Sequence, residues 1–143
     1  MAALLTPDLA AWLSEQGRRP WVWGECDCTM WVADWIKAVS GIDPAERYRG
    51  RYRTQRGAEH VLKHRGGFVQ MVGWRMDDAG FARTAAPGDG DVGIVKAPIA
   101  RARTMPVVGT VMGIRYRGTW ITRSAIGLHF ENFELVNGWT VIR

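Results

Sequence analysis

The chain has 143 residues, of which 47% are hydrophobic and 23% charged, with eight tryptophans. That is the length of one ordinary domain with a single core, and the composition excludes a disordered tail. No apolar run approaches the roughly 18 residues that cross a bilayer. The opening segment from Met1 has no basic stretch before its apolar residues, which Pro7-Asp8 interrupts too early for a signal peptide. A protein made in the cytoplasm, with no membrane span, is therefore expected as one domain over residues 1–143.

The elements follow from spacing and caps. Thr6-Pro7-Asp8 reads as an N-cap, a first-position proline and a first-turn acid, opening a short helix with Leu9, Trp12 and Leu13 on one face and an end near Gly17. After the basic turn Arg18-Arg19-Pro20, a second helix is predicted with Asp27 as N-cap. Its residues Trp31, Val32, Trp35, Ile36 and Val39 recur at helical spacing, which makes it the central buried helix, and Gly41 stops it. Thr54 or Gln55 begins a third helix that Gly66-Gly67 ends, and Phe68 to Trp74 forms a fourth. The helical part spans about residues 6–76.

From residue 90 onward the texture changes to short β-rich runs separated by glycine and basic turns: 92–95, 107–114, 119–122, 127–133 and 139–142. Helices followed by strands give an α+β fold, N-terminal helices packed on a small C-terminal antiparallel β-sheet that is expected to meander.

The net charge of +5 concentrates in Arg47-Tyr48-Arg49-Gly50-Arg51-Tyr52-Arg53-Thr54-Gln55-Arg56. Alternating arginines and tyrosines suit phosphates and stacked bases, which leaves nucleic acid as an outside alternative. Without a recognisable binding motif, the favoured reading is a solvated crossing between two helices with the tyrosines packed inward.

The chemistry concentrates at Cys28. A thiol in the first turn of a helix meets unpaired backbone N–H groups and the positive end of the dipole, both of which favour a thiolate. Cys26 and Cys28 are too close for an unstrained disulfide, so reduced thiols are expected. They lack the second pair a zinc site needs, and neither a metal nor a cofactor is expected. A nucleophilic cysteine requires a base. His60 and His64 share a helical face beside Lys63 and Arg65 and read as solvated residues. His129, on a predicted strand after Cys28, is the candidate base.

This order resembles the papain-like peptidases of the NlpC type. In those proteins Asp-Cys-Ser/Thr opens the central helix and Gly-Asp-Leu/Val opens the first strand, matched here by Asp27-Cys28-Thr29 and Gly90-Asp91-Val92. More closely, the chain resembles a short phage- and prophage-associated family of unknown function related to that group. The shared features are Trp23-Gly24-x-x-Asp27-Cys28, Gly41-x-Asp43-Pro44, Arg49-Gly50-x-Tyr52, Gly66-Gly67, Gly90-Asp91-Val92 and Trp139-x-Val141.

The resemblance implies a papain-like fold, an ancestry in peptidoglycan amidases or endopeptidases, and a place in a phage tail or gene-transfer-like particle, with particle proteins or peptidoglycan as partners. In the active peptidases the next strand begins with the catalytic histidine. Here that run, from Pro106 to Gly113, has none, and Thr122 on the following strand stands where a residue would orient the base. The expectation is a degenerate, structural domain, with an active thiol hydrolase using Cys28 and His129 as the alternative.

Overall fold

The computed structural model describes the backbone of residues 8–102 and 105–142, with side chains outside 99–107. Among the described residues four helices precede the main sheet: α1 Leu9–Gln16, α2 Met30–Ser40, α3 Gln55–Lys63 and α4 Phe68–Asp78. Six strands follow: β1 Ala82–Arg83, β2 Val92–Ala102, β3 Met105–Tyr116, β4 Thr119–Ser124, β5 Gly127–Glu131 and β6 Glu134–Thr140. The fold is α+β, and every strand pairing is antiparallel.

Helix α1 is capped by Asp8, whose carboxylate accepts from the Ala10 N–H at 3.0 Å, so this acid sits one step earlier than its expected first-turn place. Thr6 and Pro7 lie outside the described residues. The apolar face of α2 is buried from Met30 to Ile36, with Val39 half-buried, and Gly41 ends the helix in the left-handed region (φ 76°), donating to the Lys37 carbonyl at 2.8 Å. Three tryptophans anchor this region with their indole N–H groups: Trp31 to the Gln16 carbonyl at 3.1 Å, Trp35 to Gly90 at 2.8 Å and Trp139 to Asp77 at 3.1 Å. Each buries a large apolar ring while satisfying its polar atom.

The sheet order is β1-β6-β2-β3-β4-β5. Strands β2 to β5 meander as expected, but β6 returns to the far side of β2 and the short β1 extends the sheet beyond it. Between Glu131 and Glu134 the chain reaches at most about 11 Å. In a flat sheet β5 and β6, four strand spacings apart, would stand about 19 Å from each other. The sheet must therefore curl towards a barrel.

Curling gives each face its own core. Ile94, Met112, Ile114, Ile121 and Trp139 pack with the helices, while Val95, Ala97, Val111 and Trp120 form a second cluster on the opposite face, joined by Phe133 and Leu135 from beyond the curl. The Gly90-Asp91-Val92 motif is a structural corner. The Asp91 carboxylate accepts from Gly88 at 2.9 Å and Val141 at 3.3 Å, tying the start of β2 to the C-terminal end of the chain.

The arginine-rich crossing between α2 and α3 folds with its tyrosines inward. Tyr48 is buried and Tyr52 half-buried, whereas Arg47, Arg51, Arg53 and Arg56 are exposed. Arg49 is turned back into the protein, where it pairs with Asp43 at 2.6 Å and Asp34 at 2.8 Å. Among the described residues no helix is long and apolar enough to cross a membrane.

Candidate active-site groove

A groove of about 560 Å³ runs between the entry to α2, the helices α3 and α4, and the sheet; Cys28 and His129 both line it. That volume lies in the range of small-molecule and peptide sites.

At its head the chain makes a tight loop. Val22 and Cys26 form an isolated antiparallel bridge, and Gly24 adopts φ +81°. A Cβ at Gly24 would also meet the Tyr52 carbonyl oxygen at 2.2 Å, so only glycine fits there. The Gly24 carbonyl in turn accepts from Gly50 at 2.9 Å, which clamps the arginine-rich crossing onto the loop.

Asp27 is the hub of this arrangement. Its side chain is 1% exposed and accepts four hydrogen bonds: from the N–H groups of Gly24 (2.9 Å), Thr29 (3.0 Å) and Met30 (2.9 Å), and from the Tyr52 hydroxyl (2.5 Å). Although regular helix begins at Met30, Asp27 is the working N-cap, because its carbonyl also accepts from Trp31 at 3.1 Å. Cys28 therefore lies in the first turn, as the sequence predicts.

The surroundings of its thiol oppose the expected activation. The N–H groups of Thr29 and Met30 at the helix start donate to the Asp27 carboxylate. The half-buried Cys28 has its thiol pushed up to about 12, first by burial and next by the charge of Asp27, against smaller opposing effects from the Thr29 hydroxyl, 3.7 Å from its sulfur, and the backbone N–H groups of Cys28 and Thr29. The same combination of burial and the Asp27 charge raises Tyr52. Protonated Cys28 contributes stability that is fully present below pH 9, its ordinary value, and is lost as pH rises towards about 12. Cys26, wholly buried, is also raised by burial, with Arg19 and Arg123 opposing.

Cys28 packs against the second core cluster, whose β2 and β3 members are Val95, Ala97 and Val111. His129 stands elsewhere on the sheet, on edge strand β5, two strands from β3, where it pairs in register with Thr122 of β4. Its Nε2 is engaged instead by the Ser124 hydroxyl at 2.6 Å, and no hydrogen bond joins His129 to Cys28 among the described residues. Thr122, read from the sequence as having no base to orient, is thus the cross-strand neighbour of the one histidine in the groove.

His60 and His64 lie on the exposed face of α3 with ring centres 4.5 Å apart, away from the thiol's surroundings.

Residues 4–140 match a family described as a domain of unknown function (DUF6950). The chain belongs to that family. No curated protein and no solved structure matches the chain. The family match covers both halves of the groove, from the α2 entry to β6, so the groove is part of the family's domain and not an appendage.

Two groove residues escaped sequence reasoning. Tyr52 was visible in Arg49-Gly50-x-Tyr52, but nothing in that spacing announces a bond to a residue 25 positions earlier. Arg123, one residue past the run predicted at 119–122, is only 5% exposed, and donates from Nη2 to the Arg19 carbonyl and from Nε to that of Ser124.

Proposed function

We propose that this is a papain-like, NlpC-type domain that has kept the architecture of a cell-wall peptidase and lost its chemistry, serving as a structural part of a phage tail or gene-transfer-like particle. The motifs Asp27-Cys28-Thr29 and Gly90-Asp91-Val92 support the ancestry, since they fall at the central helix entry and the first long strand, as that resemblance requires. The loss of chemistry is supported by one observation: Cys28 packs against a cluster of Val95, Ala97, Val111 and Trp120, and no hydrogen bond joins its sulfur to a histidine among the described residues. A thiol pushed up to about 12 beside an apolar cluster is a poor nucleophile at neutral pH.

The alternative, a thiol peptidoglycan hydrolase with Cys28 as nucleophile and His129 as base, is supported by both residues lining one groove. It requires His129 to turn from Ser124 to the thiol. Nucleic-acid binding rests only on Arg47, Arg51, Arg53 and Arg56, since Arg49, Tyr48 and Tyr52 are committed to the protein interior.

The experiment is release of soluble fragments from purified peptidoglycan sacculi at pH 7. The wild type should release no more than Cys28→Ser. Release that disappears in Cys28→Ser and in His129→Ala would establish the hydrolase instead.

A further inference from the structure

Helix α3 lays its apolar side chains along the groove. Ala58, Val61 and Leu62 line it and are only half-buried, Arg56, His60, Lys63 and His64 are exposed, and no residue of the helix is buried. An amphipathic helix ordinarily gains most of its stability by burying its apolar face, so this face is available to a ligand. Methionine is concentrated at the same site. Met30, Met71, Met76 and Met112 line the groove, four of the six in the chain. Unbranched and polarisable, these side chains adapt to apolar ligands of variable shape.

A positive charge stands at this apolar wall. Arg75 of α4 is half-buried, lines the groove, and lies 5.4 Å from the ring centre of Tyr48, itself a groove residue. Among the described residues its guanidinium makes no ion pair and no hydrogen bond, so its five donors are open to a ligand. The acids of the groove are engaged elsewhere: Asp27 has four donors, and Glu59, exposed, takes the Gln55 amide at 3.2 Å. Charge complementarity therefore selects an anion.

We propose that the groove binds a long-chain carboxylate, its hydrocarbon tail along the α3 face and its head accepting from Arg75. An acyl chain is favoured over an apolar peptide by the polarity of the walls. What α2, α3 and α4 contribute to the lining is apolar apart from Gln55, Glu59 and Arg75, so the N–H and C=O groups of a peptide would be desolvated there without partners, whereas methylenes need none. A carboxylate matches the single charge of one guanidinium, which would leave a phosphate dianion half-compensated. Binding asks nothing of Cys28, so the site stands or falls independently of whether the thiol is active.

The test is calorimetric titration of the intact protein with decanoate and with decan-1-ol, each at submillimolar concentration, where decanoate forms no micelles. Decanoate should bind at least about fivefold more tightly than the alcohol, as expected for a charge-assisted contact at a half-buried site. Hexanoate should bind at least about thirtyfold more weakly than decanoate, because each lost methylene forfeits buried apolar surface. These comparisons need no variant. Amide hydrogen exchange in α3 should slow when decanoate is bound. In Arg75→Met, checked for folding by circular dichroism, decanoate should fall to the affinity of the alcohol, while Leu62→Gln should weaken both. No binding of decanoate, equal affinity for decanoate and decan-1-ol, an unchanged preference in folded Arg75→Met, or tighter binding of the peptide N-acetyl-Ala-Leu-Ala than of decanoate would each overturn the proposal.

Discussion

Replacing Asp27 with alanine is expected to lower the stability of the fold by about 3 kcal/mol, which for a domain of this size is roughly 10 °C in Tm. The magnitude follows from what the carboxylate holds: three backbone N–H groups and a phenol converge on a side chain with almost no exposure. Losing an N-cap costs about 1 kcal/mol, and leaving further buried donors unpaired adds the rest. Asp27→Asn should cost nearly as much, because an amide nitrogen would confront donors where an oxygen now accepts. Tyr52→Phe, which removes one donor and leaves no orphan, should cost only about 1 kcal/mol. Thermal denaturation followed by circular dichroism checks the series. A loss below about 1 kcal/mol in Asp27→Ala would show that the loop and helix hold together without their hub.

Placing a histidine at Val111 should reactivate the thiol. Val111 belongs to the cluster against which Cys28 packs and lies on the strand where the resemblance places a catalytic base. An imidazolium within reach of the sulfur offsets both causes of its raised value, burial and the Asp27 charge. Alkylation of Cys28 by iodoacetamide at pH 7.5 is expected to rise by at least about tenfold in Val111→His, with Val111→Phe as the bulk control. The same substitution overfills a buried site, so some stability is lost; a circular dichroism spectrum matching the wild type is the condition for reading the rate. An unchanged rate in a folded variant would mean that the thiol does not face this part of β3.

Much of this fold was legible before the structure because local chemistry and burial agreed. The α2 pattern of Trp31, Val32, Trp35 and Ile36 announced a buried helix, and those residues are at most 1% exposed. Asp27 announced a cap and Gly41 a stop, and both act so. The strand runs were visible because valine, isoleucine and threonine cluster between glycine turns. Two-residue β1 carries too little sequence for any pattern, and the return of β6 to β2 is a long-range pairing that no local signal encodes. The curl follows only once that pairing is known.

The groove was half legible. Cys28 stood out as a thiol at a helix entry, and its position is as read. Its electrostatics were not, because burial and the charge of Asp27, adjacent in sequence, outweigh the helix N–H groups that favour a thiolate. The commitment of His129 to Ser124 is a hairpin contact across five residues that no catalytic pattern would suggest. Arg123 escaped because a charged residue at a strand end is ordinarily solvated, and only the tertiary approach of the Arg19 carbonyl buries it.

The proposal that Cys28 is a structural thiol in a papain-like fold is tested most directly by its iodoacetamide labelling rate from pH 6 to 10 in a Cys26→Ser background. A thiol held near 12 should react about a hundredfold more slowly than free cysteine at pH 7.5, its greater intrinsic nucleophilicity offsetting part of the thiolate deficit. The rate should still be climbing at pH 10, and His129→Ala should leave the profile unchanged. A labelling midpoint below about 8.5 that moves upward in His129→Ala would contradict the account, establishing a thiolate–imidazolium pair and a working nucleophile.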